Sequence, residues 1–272
     1  MILSRGNLFD VSHKIVLITG ASGQLGMEYQ TAFLEHGAKV IGIDITKSTG
    51  ISELEEKFNK DYCFLSCDIT LKDSLISCLA EIKSNIGSPD VLINNAAIDS
   101  PPGSPMEETG PFESYPEESW DKVLDVNLKG TFLTCQVFGA EMAKNNKGSI
   151  INISSIYGLV SPDQSIYDFR RKKGEDFFKP VAYSASKSGI LNLTRYLASY
   201  WTKDNIRVNS LTIAGVFNNQ EDEFLKAYCK RIPIGRMANS EEYNGAVIFL
   251  ASDASSYMTG SNIIIDGGWT AI

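Results

Sequence analysis

Tyr183 and Lys187 stand four residues apart in "YSASKSG", a spacing that puts both on one face of a helix. An ammonium beside a phenol favours the phenolate and draws its pKa from about 10 toward neutrality. The tyrosine then becomes a usable proton donor or acceptor. Taken alone, the pair is more simply an exposed tyrosine and lysine on a solvated helix face. A second pattern shifts that balance. "TGASGQLG" carries Gly20, Gly23 and Gly26 directly after an apolar run. Glycine at a strand-to-helix junction permits a tight turn and lets backbone amides approach a pyrophosphate, whose charge the helix N-terminus stabilises. A glycine-rich turn without a ligand would look the same, but here strand, helix and second strand follow in the order a dinucleotide site requires. Asp44 ends the second apolar run, 18 residues after Gly26. A carboxylate there accepts hydrogen bonds from an adenosine ribose and repels a 2′-phosphate. The glycine turn holds no Arg or Lys, so NAD is expected over NADP, with Lys47 the nearby cation that speaks the other way. Outside this context Asp44 reads as an ordinary turn residue at a strand end.

Such residues need a scaffold that brings strand ends and helix starts together. Short apolar runs at residues 15–18, 40–43, 91–93, 150–153 and 263–265 read as strands buried on both faces. Their alternation with helical patterns predicts an α/β, doubly wound, mostly parallel sheet with helices on both faces, a Rossmann-type architecture built through right-handed crossovers. Leu25, Tyr29, Ala32, Phe33 and His36 recur at helical spacing before Gly37, which completes one βαβ unit. Longer helices are predicted over roughly 117–144 and 182–203. The proline-rich stretch 98–116 reads as a loop that would lie over the ligand crevice, at the carboxyl end of a central strand. With no repeat and no low-complexity linker, residues 1–272 read as one domain.

Composition narrows the partners. The formal charge of -8 disfavours a nucleic-acid binder, which needs a net basic footprint to neutralise phosphates. Any anionic ligand must find a local basic patch. The chain start lacks a long apolar leader and no later run reaches membrane-spanning length, so a cytoplasmic protein without a membrane partner is expected. Five cysteines without CxxC spacing read as free buried thiols, and with only His13 and His36 available no His-based metal site is expected.

The motifs "TGASGQLG", "CDIT", "NNAA", "DVNLKGTF", "INISSIYG", "YSASK", "IRVNSLTIAG" and "SNIIIDGGWT", in this order across nearly the whole chain, resemble the short-chain dehydrogenase/reductase family. The resemblance implies an NAD-dependent oxidoreductase that moves a hydride between nicotinamide and a secondary alcohol or ketone. It implies that Tyr183 transfers the proton, Lys187 binds the nicotinamide ribose and tunes Tyr183, Ser155 holds the reacting oxygen and Asn127 orders a proton-relay water. The cofactor would be met by the turn holding Gly20, Ser22, Gly23, Gln24, Leu25 and Gly26, and by Asp44 and Ile45 at the second strand end. Asp68 and Ile69 would contact adenine, Asn95, Ala96 and Ala97 would flank the ribose, and Val216 with Asn218 would lie at the carboxamide. Three departures stand out: Gln24 at the usual second glycine, Ala97 at the end of the usual NNAG, and Ile213-Ala214 in place of Pro-Gly. The resemblance also implies a homotetramer, or at least a dimer, built on the two long helices.

Ser155 and Tyr183 are 28 residues apart, far more than the family's short-branch members place between them. The excess, at about 157–181, must loop out at the rim of the site. That would set Arg170, Arg171, Lys172 and Lys173 beside the substrate, although a solvated cluster balanced by Glu175 and Asp176 is an equal alternative. The segment "SPDQSIYDFRRKKGEDFFKPVAYSASK" is similar to that of flagellin-modification oxidoreductases of nonulosonic-acid pathways, such as those for legionaminic acid. This implies a phosphorylated or nucleotide-linked sugar as substrate, an anion suited to the basic run. A dehydrogenase of a polyol, steroid or acyl thioester and a non-catalytic NAD-sensing regulator are the competing readings. The retained Ser, Tyr and Lys favour catalysis.

Overall fold

Seven parallel strands form one sheet in the order β3-β2-β1-β4-β5-β6-β7. They are β1 (Ile15–Thr19), β2 (Lys39–Asp44), β3 (Tyr62–Ser66), β4 (Val91–Asn94), β5 (Gly148–Ser155), β6 (Ile206–Ile213) and β7 (Asn262–Ile265). The computed structural model describes residues 7–99 and 106–272. The helices that matter here are α1 (Gln24–Glu35), α2 (Thr49–Phe58), α3 (Lys72–Asn85), α4 (residues 117–144), α5 (Val181–Tyr200), α6 (Asp222–Cys229) and α7 (Asn244–Ala251). Alternation along each strand divides the core in two. Val16 and Ile18 face Tyr29, Phe33 and Val247 on one side, while Leu17 faces Leu75, Phe138 and Leu197 on the other. Each fully buried side chain of this kind stabilises the fold by about 1.5–3 kcal/mol relative to exposure.

The five apolar runs are all strands, and β3 and β6 join them. In β6, Asn209, Ser210 and Thr212 interrupt the apolar pattern yet are buried. They are satisfied rather than solvated: Asn209 Nδ2 donates to Met258 O at 2.8 Å, and both Ser210 and Thr212 donate to Asn262 Oδ1 at 3.0 and 2.8 Å. Strand β3, at the sheet edge, has only Tyr62 buried.

Helix α4 follows the expected span but contains two wide π-helical segments, Asp125–Gly130 and Cys135–Gly139. Thr131 Oγ1 donates back to Asn127 O at 2.8 Å, a side-chain bond that competes with the regular ladder and opens the turn. His36, expected on the buried stripe of α1, is exposed at its C-cap, since the helix has already ended at Glu35. In the expected loop 98–116, the one-turn helix Met106–Thr109 and a turn at Phe112–Ser114 are present. Residues 100–105 of that stretch lie outside the described residues.

The segment after β5 carries its own small core. Ile166, Tyr167 and Phe177 pack with Tyr228, Ile232, Met237 and Trp269, and Arg231 pairs with Asp163 while donating to Ser165 Oγ at 2.8 Å. The insert is thereby pinned over α6. Among the described residues no helix is long and apolar enough to cross a membrane.

Candidate active site

The sheet order reverses between β1 and β4, and the carboxyl ends of the strands there open into a crevice of about 1450 Å³. Ligands of open α/β sheets bind at such a switch point. Gly20 leads the chain out of β1 with φ +67°, and a Cβ on it would stand 2.7 Å from Ala96 Cα. Gly26 packs against the same turn, where a Cβ would fall 2.0 Å from Gly20 O. Both glycines are therefore required by close approach of backbone to backbone. Gly23 caps α1 without a side-chain hydrogen bond, which leaves the helix's first N–H groups directed at the crevice as a ready anion site.

Of the expected cofactor residues, Gly20, Gly23, Gln24, Leu25, Asp44, Ile45, Asp68, Ile69, Asn95, Ala96, Ala97, Val216 and Asn218 all line the crevice. Tyr183 also lines it; Ser22, Gly26 and the buried Lys187 do not. Gly26 is the packing contact just described. Ser22 is a brace for Asp44: its N–H donates to Asp44 Oδ2 at 3.0 Å and its hydroxyl to Thr46 O at 2.6 Å. With Ile45 N–H donating to Oδ1 at 2.7 Å, the Asp44 carboxylate is held at the crevice wall. Gln24, the residue in place of a usual glycine, donates through Nε2 to Phe217 O at 2.9 Å. It ties the glycine turn to the loop that follows β6.

Tyr183 sits in the first turn of α5 and lines the crevice, with Ser155 at the end of β5 and Lys187 one turn further along the helix. Lys187 is buried beneath the tyrosine. Its Nζ lies 5.8 Å from the Tyr183 ring centroid and donates to Ile153 O at 2.9 Å. Burial draws the Lys187 ammonium down to about 8. The same burial pushes Tyr183 well above the ordinary tyrosine range; the Asp99 carboxylate adds to the rise and the Ser155 hydroxyl opposes it. The expectation that Lys187 draws Tyr183 toward neutrality is thus corrected: burial of the phenol dominates, and the Lys187 ammonium is engaged with a backbone carbonyl.

Asn127 lies in the first π-helical segment and is fully buried behind the crevice. Its Oδ1 accepts from Ile98 N–H at 2.8 Å, and its Nδ2 donates to Ile98 O at 3.0 Å and Ser186 Oγ at 3.1 Å. It joins α4, the loop after β4 and the start of α5.

The basic run takes a different place from the one expected. None of Arg170, Arg171, Lys172 and Lys173 lines the crevice. Arg170 bonds Glu175 at 2.6 Å and lies 4.3 Å from the Phe177 ring centroid. Arg171 donates to Phe177 O at 2.7 Å and to Gln164 O, and pairs with Asp168. Lys173 reaches Glu223 at 3.6 Å, and Lys172 is exposed. Arg170 and Arg171 thus hold the insert together, and Lys173 ties it to α6. The insert's cation at the crevice is Lys179, whose Nζ pairs with Asp99 and lies 5.0 Å from the Tyr183 ring centroid. Neither Lys179 nor Asp99 was singled out by the sequence reading. Lys179's position, four residues before Tyr183 and just ahead of the helix-starting Pro180, is the signal that could have found it.

The family described as enoyl-(acyl carrier protein) reductase matches residues 20–270. The NAD-dependent glycerol dehydrogenase of Listeria innocua is 34% identical over 271 residues, covering 96% of both chains. The 2-dehydro-3-deoxy-D-gluconate 5-dehydrogenase of Escherichia coli is 30% identical over 278 residues, covering 100% of both. The crystal structure of a short chain dehydrogenase from Leptospira borgpetersenii with bound NAD+ superposes with a TM-score of 0.85 at 35% identity, covering 99% of this chain and 97% of that one.

Proposed function

This chain belongs to the short-chain dehydrogenase/reductase family, and we propose that within it the protein is an NAD-dependent dehydrogenase of a secondary alcohol on a polyol or sugar, or a reductase of the matching ketone. The observation that carries the reading is the meeting of Tyr183, Ser155 and buried Lys187 at the inner end of a crevice whose other end is marked by Asp44 and the uncapped start of α1. The cofactor's charge pattern fits these residues: donor N–H groups for a pyrophosphate and a braced carboxylate for a ribose diol.

Bound NAD supplies the hydride acceptor and a positive charge at the nicotinamide ring. The chain's own residues do the rest. Tyr183, first deprotonated to the phenolate with its proton released to solvent, accepts the hydroxyl proton of the substrate as the carbinol hydrogen leaves with its electron pair, and Ser155 holds the same oxygen by a hydrogen bond. Lys187, charged below about pH 8, supports the phenolate that Tyr183 must become. Asn127 fixes the loop after β4 against α5 and so keeps this group in register.

The relatives named above act on a neutral polyol or on a sugar acid, which supports a polyhydroxylated substrate. The narrower setting of bacterial flagellin-glycan synthesis rests on the similarity of residues 161–187 alone. A phosphorylated sugar would have to be recognised without the basic run, none of which lines the crevice. We also assign the protein to the cytoplasm. The test is oxidation of a panel of polyols, sugars, sugar acids and sugar phosphates, followed by the absorbance of reduced nicotinamide with NAD and with NADP. Turnover of polyhydroxylated alcohols with NAD is expected. Tight NAD binding with no turnover of any alcohol would instead identify an NAD-sensing regulator.

A further inference from the structure

Lys179 brings an ammonium to the reacting end of the crevice by way of the insert. Its side chain is 9% exposed, whereas that of its partner Asp99 is 39% exposed. The ammonium lies 5.0 Å from the Tyr183 ring centroid and 5.9 Å from that of Tyr157, so it is fixed by a carboxylate and two ring faces at once. The same crevice has an aromatic wall of Tyr167, Phe177, Phe224 and Tyr228, whose rings pack on one another.

That arrangement discriminates by charge. A carboxylate or phosphate entering here would gain from Lys179 only what Asp99 leaves over, and it would face the Asp99 carboxylate. A hydroxyl meets no such opposition, because it donates and accepts at once. It can donate to Asp99 and accept from Lys179, and both bonds are charge-assisted. The aromatic wall suits the C–H face of a carbon chain.

We propose that the Asp99–Lys179 pair is the substrate-reading subsite of this enzyme, taking the hydroxyl on the carbon beside the one oxidised, and that the preferred substrates are therefore uncharged vicinal diols of polyol or sugar type. The assignment rests on the dehydrogenase reading and adds the substrate class to it. An analogue that lacks the hydroxyl forfeits both charge-assisted bonds at once.

The experiment is kcat/KM with NAD for threitol, 2-butanol and gluconate in the wild type, Asp99→Asn and Lys179→Met, with an NAD fluorescence titration to show that each variant keeps its cofactor site. The wild type is expected to favour threitol over 2-butanol and over gluconate, each by about tenfold or more. Asp99→Asn keeps the shape and releases the charge of Lys179, so its threitol-to-gluconate ratio should fall by about tenfold or more. Lys179→Met should lose the threitol-to-butanol preference without any gain for gluconate. A wild type that prefers gluconate, or variants that bind NAD and keep the wild-type ratios, would overturn the subsite while leaving a dehydrogenase. No turnover of any alcohol by an NAD-binding wild type would overturn the dehydrogenase reading, and the subsite with it.

Discussion

Burial moves the two titrating groups of the site in opposite directions. A buried phenol is held neutral, and a buried ammonium is held less basic than in water. The second shift has a consequence for stability. Lys187 titrates at about 8 in the folded chain against 10.5 for an ordinary lysine. Between those values the unfolded chain carries a proton that the folded chain lacks, so the folded state gains as pH rises through this window. Below about pH 8 both states are protonated, and the cost of burying the ammonium is present in full. Denaturation free energies measured from neutral pH to about 10.5 should therefore rise for the wild type relative to Lys187→Met. A difference that stays flat across the window would show that Lys187 is solvated. At this scale the spacing of Tyr183 and Lys187 was legible in the sequence, because four residues on a helix place two side chains on one face. The direction of the Tyr183 shift was not, because it depends on burial depth and on Asp99, which only the fold brings near.

The insert is the element that separates this chain from a plainer dehydrogenase, and its two arginines work inside it. Arg171 holds two backbone carbonyls, those of Phe177 and Gln164, in addition to Asp168. Without it, two part-buried acceptors lose donors, at up to about 1–3 kcal/mol for each one that water does not reach. Arg171→Ala is expected to raise the KM for substrate several-fold, to lower the melting temperature and to leave NAD affinity unchanged. Because the effect is structural, the KM change should persist at high salt, whereas a lost phosphate contact would fade as salt screens it. A KM change confined to dilute buffer would return the basic run to the substrate. The rim position of the insert could be inferred from the excess length between Ser155 and Tyr183. Which of its cations turned inward could not, since a run of four similar charges hides the partner each one finds. Strand β6 was hidden for a related reason: its polar residues are satisfied by Met258 and Asn262, and no periodicity announces that.

On the scale of the whole molecule, apolar side chains remain exposed on α4 and α5. Phe132 is 44%, Tyr196 63% and Tyr200 66% exposed, and the two tyrosines stack with ring centroids 6.1 Å apart. We propose that these helices pair with a second copy, giving a dimer or tetramer. Tyr196→Glu with Tyr200→Glu should then shift the sedimenting species toward monomer at micromolar concentration, and a wild type that is already monomeric there would exclude the interface. The doubly wound sheet was the most legible part of the sequence, because strands buried on both faces leave uninterrupted apolar runs. The outer faces were not, since Leu193 and Leu197 on α5 pack with the chain's own core, so apolar residues at helical spacing do not mark which face meets a partner. The central claim is that Tyr183 moves the substrate proton in a hydride transfer to NAD, and Tyr183→Phe tests it most directly, with turnover of a polyol and NAD affinity measured on the same preparation. Removing one hydroxyl should lower kcat by about 10²–10⁴ while NAD binds as in the wild type; a variant that binds NAD and turns over at the wild-type rate would contradict the account.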